Sequence, residues 1–351
     1  MADRSKIEWT DASWNPIRAR LTRKVGTKAQ NALGWHCEHA TTGCINCYAE
    51  GMNIRLGTGL PFKPGHLDNG DVELFLDDNM LRLPLRWTRP RKIFVGSMTD
   101  LFGRFVKDEW LDKIFAVMAL CPQHTFQVVT KRSERMRKYL TARNGMGNAA
   151  ICRAINDLPA NVGDRRGALE MPLPNVWLGV SVERQQEANA RIPDLQKTPA
   201  AVRFVSAEPL LGPVELDDIV RAFEGGEDHH SALECDVDVE DDQEFGGAVI
   251  DWVIVGGESG RNARPMHPDW ARSLRDQCQA AGVAFFFKQW GMYKPFALSQ
   301  QLPSTKRKVM LNGRGFSYQQ IEGYALVNVG KEGAGRLLDG VEHNAMPERA
   351  R

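Results

Sequence analysis

Apolar residues recur along this chain in short unbroken runs, and between the runs they recur at helical spacing. Lys92 to Gly96, Thr125 to Thr130, Asn175 to Ser181, Ala201 to Ser206, Trp252 to Val255 and Val283 to Lys288 are compact apolar runs of strand length. Ile7 to Thr10 reads as a short first strand. Between them, Asp108 to Leu120 places Trp110, Ile114 and Met118 four apart, which predicts an amphipathic helix. Helices are also expected over Tyr48 to Leu56, Lys131 to Leu140 and Val182 to Arg191. Another is expected over Pro268 to Ala281, with Pro268 in its first turn and Gly282 as its cap. Continuous apolar strands that alternate with helices predict a parallel sheet covered on its outer face. The fold class is therefore α/β, a partial or full TIM-like (β/α)6–8 barrel.

The same pattern divides the chain. Residues 1–291 read as the barrel, and 292–351 as a C-terminal extension with hairpin-like pieces around Asn312-Gly313. Three stretches lack a clean period and read as insertions: a basic loop at 17–33, residues 141–173, and an acidic loop at 224–246. Val72 to Leu83 fits either an extended or a helical reading. No run of ~18 apolar residues occurs, and the N-terminus lacks the apolar core of a signal peptide. A cytoplasmic protein with no membrane partner is expected.

Charge changes the picture next. The chain carries a net charge of +1 over 351 residues, but residues 224–244 hold ten acids and no Lys or Arg. The remainder has 45 bases against 34 acids, a charge of +11. A body that basic suits nucleic acid, or else a solvated surface. Composition predicts a loosely held excursion for the acidic segment.

In barrels of this kind chemistry gathers at the carboxyl ends of the strands. Those ends read as the loop after the first strand, then Ser97-Met98-Thr99-Asp100, Lys131-Arg132, Ser181 with Glu183, Glu208, Gly256-Gly257-Glu258, and Lys288-Gln289. Glu208 and Glu258 could orient substrate hydroxyls or amines. Lys131 and Arg132 could hold a carboxylate, ribose or phosphate. Lys288 ends the run Phe285-Phe286-Phe287 and is expected to project into the barrel mouth. Gly256 and Gly257 would let a ligand approach the backbone closely.

The loop after the first strand holds Cys37, Cys44 and Cys47 within eleven residues. Thiolates that close suit a soft metal centre, iron–sulfur or zinc. Three ligands leave one position open, whereas a structural zinc would recruit His36 or His39 as its fourth. Cys121, Cys152, Cys235 and Cys278 read as structural or incidental, and His229-His230 as solvated.

Trp14-Asn15-Pro16, then Cys37-Glu38-His39, then Cys44-Ile45-Asn46-Cys47-Tyr48-Ala49 resembles the cluster loop of radical S-adenosylmethionine enzymes, in particular the branch that includes spore photoproduct lyase. The whole chain resembles a phage and prophage family known by its three-Cys motif. The six- and two-residue gaps between cysteines match that family. The general superfamily has three residues in the first gap, and often an aromatic where this chain has Asn46. The resemblance implies a 4Fe–4S cluster on Cys37, Cys44 and Cys47, with S-adenosylmethionine on its open corner. It further implies that Asp100 binds the cofactor's amino group, with Thr99 or Ser97 hydrogen-bonding nearby. Ser181 belongs to the same cofactor-binding set, whose other rim members are Lys131, Gly256 and Gly257. Gly256-Gly257-Glu258 looks like the superfamily's Gly-Gly-Glu, but it follows the sixth strand instead of the second. The expected partners are an electron donor, a nucleotide or nucleic-acid substrate and a phage-encoded protein. The competing reading is a non-catalytic nucleic-acid-binding protein stabilised by zinc or a cluster.

Overall fold

The computed structural model describes residues 5–158, 169–223, 226–234, 248–297, 308–311 and 314–348. The chain enters with β1 (Ala12–Trp14), β2 (Ile17–Leu21) and β3 (Leu33–Gly34), and α1 (Tyr48–Leu56) follows the cysteines. Next come β4 (Val72–Leu76), α2 (Asp78–Leu81), β5 (Lys92–Val95) and α3 (Asp108–Leu120). The alternation continues through β6 (Thr125–Thr130), α4 (Ser133–Arg143), α5 (Ala149–Asn156), β7 (Val176–Ser181), α6 (Gln185–Gln196) and β8 (Val202–Ala207). A hairpin of β9 (Ile219–Phe223) and β10 (Gly226–His230) precedes β11 (Trp252–Gly256), α7 (Pro268–Ala280) and β12 (Ala284–Gln289). The extension holds β13 (Tyr293–Ala297), β14 (Lys308–Leu311), β15 (Arg314–Ile321), β16 (Tyr324–Asn328) and α8 (Gly330–Ala334).

Seven strands form one parallel sheet in the order β1-β5-β6-β7-β8-β11-β12, curled into a half-barrel. The expected α/β barrel-like fold is thus the observed one, in its partial form. Alternate residues of each strand face opposite sides. Val95, Val128, Leu178, Val205 and Val255 pack against the helices in the main core. On the other face, Trp177, Phe204, Trp252, Ile254 and Phe286 join Trp9 in an aromatic floor. Both faces being apolar explains why these strands read as unbroken runs.

Several expectations need correction. Ile7 to Thr10 is a turn, closed by a Thr10 N–H to Ile7 carbonyl bond of 3.2 Å, and the first strand starts at Ala12. Trp9 leaves the strand path to fill the aromatic floor. The basic stretch 17–33 is not a loop: β2 is the centre of a three-stranded antiparallel sheet, β3-β2-β4. Its Ile17, Ala19 and Leu21 point inward while Arg18 and Arg20 alternate outward. Val72 to Leu83 is strand, then a short helix that Asp77 caps. Residues 226–230 of the acidic loop form β10, paired with β9, and Ala232 and Leu233 just beyond are buried. Residues 235–247 lie outside the described ones, as do 159–168 of the second insertion, whose earlier part contains α5. Among the described residues no helix is long and apolar enough to cross a membrane.

Candidate functional site

The cysteine loop runs between β3 and α1. Cys47 is the residue before α1, and its side chain makes no capping bond to the helix. Burial, the largest effect, pushes its thiol up in pKa, and the nearby backbone N–H groups of Glu50 and Ala49 oppose it. Burial also raises the Cys37 thiol to about 12; the Asp100 carboxylate adds to this, while the nearby Asp100 N–H opposes it. The Ala40 N–H reaches Cys44 Sγ at 3.4 Å. Ala49, Phe62 and Met98 make an apolar wall against which Trp35, Cys37 and Cys47 pack.

The loop is tied to the strand ends by polar contacts. Glu183, just after β7, is fully buried and holds Lys131, Arg191 at 3.0 Å and Thr41 Oγ1 at 3.1 Å. Burial opposes its ionisation, and the two cations outweigh that and keep its pKa low. Gly43 lies against this carboxylate so closely that a Cβ there would overlap it. Asn46 donates to Glu258 Oε2 at 2.9 Å, and Tyr48 Oη donates to the Ser97 carbonyl at 2.8 Å. Arg132 bridges Asp100 at 3.1 Å and the Glu38 carbonyl at 2.7 Å. Arg104 grips the Glu38 carboxylate with two bonds of 2.7 and 2.9 Å. The loop thus sits over the carboxyl ends of the half-barrel strands.

Beneath the loop, Lys288 pairs with Glu208 at 2.9 Å. A bulge aims the lysine there: Val255 pairs with Phe287 and Gly256 with Gln289, so Lys288 is the unpaired extra residue. Gly256 gives Glu208 its room, because a Cβ at 256 would meet Glu208 Oε1. Gly257 abuts the Trp290 carbonyl instead, so its missing side chain serves packing.

The other sequence-predicted residues fall as follows. Asp100 is at the rim, but its carboxylate already accepts from Thr130 Oγ1 (2.7 Å), the Phe102 N–H (3.0 Å), the Lys131 N–H (3.0 Å) and Arg132. Ser97 bonds Asn15 at 2.9 Å. Thr99 is buried with an unpartnered hydroxyl. Lys131 is spent on Glu183, and the Ser181 carbonyl accepts from Arg191 at 2.6 Å. Glu258 is clamped by Arg264 and Asn46. His39 is committed to Glu50 at 2.7 Å. His36 is buried against Phe105, and that burial lowers it to about 4, leaving it neutral. Among the described residues no three His, Cys, Asp or Glu side chains converge on a point that one metal ion could occupy.

Sequence reading left Glu38, Asn46, Arg191 and Arg264 without a role. Glu38 and Asn46 lay within the cysteine motif itself, so adjacency was the available signal. Arg191 and Arg264 gave none, because only the fold brings them to Glu183 and Glu258.

No curated protein and no solved structure matches this chain. A family match covers residues 4–347, nearly the whole length, and the chain belongs to that family, described as a protein of unknown function, DUF5131.

Proposed function

We propose that this protein is a radical-SAM-like iron–sulfur enzyme, in which Cys37, Cys44 and Cys47 hold a 4Fe–4S cluster and S-adenosylmethionine is the second cofactor. The observation that carries this reading is the seating of a three-cysteine loop over the carboxyl ends of a half-barrel, with a backbone N–H given to Cys44. Hydrogen bonds to sulfur are one of the levers by which a protein sets a cluster's potential.

When bound and reduced by one electron, a cluster of this kind with S-adenosylmethionine supplies a 5′-deoxyadenosyl radical that abstracts hydrogen from a substrate. The chain's own residues have other tasks. Phe62, Met98 and Ala49 shield two of the sulfurs from water. Glu183, Arg132 and Asn46 hold the loop on the rim. Lys288 and Glu208 offer paired charges that can orient a polar substrate group. The basic body supports a nucleotide or nucleic-acid substrate, in a cytoplasmic phage setting.

The test is anaerobic reconstitution with iron and sulfide, followed by spectroscopy with and without S-adenosylmethionine. We expect cluster absorption that the cofactor perturbs. It should be lost in Cys37→Ala, Cys44→Ala and Cys47→Ala and kept in Cys121→Ala. Stoichiometric zinc without iron in anaerobically prepared protein would overturn the reading.

A further inference from the structure

Residues 17–36 hold five Lys or Arg and no Asp or Glu. They supply two strands of the sheet β3-β2-β4, whose two faces are unlike. On β2, Ile17, Ala19 and Leu21 are buried, while Arg18 and Arg20 stand on the outer face. There they form part of a row in which cations and rings alternate. The Arg18 guanidinium lies 4.8 Å over the Trp35 ring, just past β3, and the Arg20 guanidinium lies 4.8 Å over the Phe75 ring on β4. Phe75 is also the register partner of Arg18, so the row is Trp35, Arg18, Phe75, Arg20. Arg18 Nε donates to the Gly34 carbonyl at 3.1 Å, and Arg20 donates to Glu73 at 3.3 Å. An arginine has five N–H groups, so each keeps donors for a ligand.

The chemistry of the row selects its occupant. Guanidinium forks take phosphate oxygens, and guanidinium and aromatic planes stack on nucleobases. Two residues along β2 advance about 7 Å, so the two forks meet successive groups of one extended chain. A duplex hides its bases in the stack, whereas a single strand presents bases and phosphates together. Lys24 and Lys28 follow β2 in the turn towards β3. Lys24 and Arg55 are exposed, and Lys28 donates to the Arg55 carbonyl, a bond that leaves its charge uncancelled. Two carboxylates adjoin the row. Asp77 is committed to capping α2, and Glu73 pairs with Arg20 where both are exposed. An exposed pair is weakly held and gives way to a phosphate. At its other end the row reaches the cysteine loop, since Trp35 packs with Cys37 and Cys47 on the wall of Ala49, Phe62 and Met98.

We infer that the outer face of β3-β2-β4 binds single-stranded nucleic acid, laid across Trp35, Arg18, Phe75 and Arg20 and leading to the cysteine loop. The inference rests on the nucleic-acid part of the reading above and not on the cluster.

The test uses the full chain before any metal loading, with fluorescent oligo(dT), oligo(U) and a hairpin duplex of equal length as probes, read by anisotropy. The wild type should bind a single strand more tightly than the duplex, and salt should weaken that binding. The tighter of the two single strands shows whether DNA or RNA fits the row. Arg18→Ala/Arg20→Ala should bind it at least about tenfold more weakly. Lys138→Ala/Arg153→Ala, which removes the same charge from α4 and α5, should bind like the wild type. If the first variant folds poorly, Lys24→Glu/Arg55→Glu alters only exposed side chains and should show the same loss. Equal weakening in the α4 and α5 variant would mean that charge alone attracts the strand, which overturns the inference. A duplex bound as tightly as the single strands overturns it too, as does a wild-type chain that binds none of the probes. Undiminished binding by a folded Arg18→Ala/Arg20→Ala or by Lys24→Glu/Arg55→Glu has the same force. Cluster assembly is measured separately on the same chain, so its failure stays distinct from each of these results.

Discussion

Asp100 shows how a residue can be placed by its sequence while the bonds it makes within the fold stay hidden. Its position after the second parallel strand was legible, since the apolar run Ile93-Phe94-Val95 ends there. Three of its four bonds were not legible, because they come from Thr130, Lys131 and Arg132 at the end of the next strand, about thirty positions away. With four donors on two oxygens, the substitution Asp100→Asn turns an amide N–H2 toward donors. We expect a loss of about 1–3 kcal/mol in chemical denaturation, the usual cost of an unsatisfied buried group. Unchanged stability with weakened cofactor binding would restore the role that the resemblance gave it. The cysteines yield a second prediction at this scale. Burial holds Cys37 protonated up to about pH 12 and raises Cys47 as well, so metal loading must expel their protons. Loading with zinc in weakly buffered solution at pH 7 should release at least two protons per chain. Release in Cys37→Ala that equals the wild type would contradict this.

Elements were most legible where one pattern dominated. The structure reproduces α3 and β6 with the bounds that the sequence suggested, because a clean four-residue spacing and an unbroken apolar run each admit one reading. β2 carries the alternation of a strand with one buried face, Ile17, Ala19 and Leu21, but its outward bases Arg18 and Arg20 give the segment the composition of a basic loop. β10, Gly-Glu-Asp-His-His, had no apolar signal at all, and it is a strand because β9 supplies its backbone partners. The cysteine loop has its own element-scale dependency. It rests on Glu183, and Gly43 is the position that lets it rest there. Glu183→Ala would leave Lys131 and Arg191 facing each other without a counter-charge, at a cost of about 3–5 kcal/mol. Gly43→Ala should instead lift the loop while leaving that pair intact. We expect it to lower cluster occupancy with a small effect on the thermal transition; full occupancy in Gly43→Ala would show that the loop does not need this seat.

At the scale of the whole molecule, the half-barrel has an inner aromatic face that helices do not cover, and the chain's end helps to close it. The apolar runs made the barrel legible; the closure was not, because it is made by backbone carbonyls that carry no sequence signal. The tail is first pinned by Asp339, whose pKa the Arg272 and Arg275 guanidiniums hold down at about 2. A depressed carboxyl stabilises above its unfolded value and loses that contribution as pH falls, so this attachment should weaken between about pH 4 and pH 2. Beyond it, the His343 carbonyl accepts the Phe287 N–H at 3.0 Å and the Ala345 carbonyl accepts the Trp252 indole N–H at 2.9 Å. Both Phe287 and Trp252 are fully buried, and Met346 packs on the aromatic floor beside them. Ending the chain at Gly340 should therefore leave two buried donors without acceptors, each costing about 1–3 kcal/mol in chemical denaturation. Trp252→Phe supplies the control, since it removes the indole N–H. In the full chain it forfeits a made hydrogen bond, whereas in the truncated chain it removes an unpaired donor, so its cost should shrink or reverse there. Equal costs in both backgrounds would mean that the tail only lies against the barrel and does not complete it.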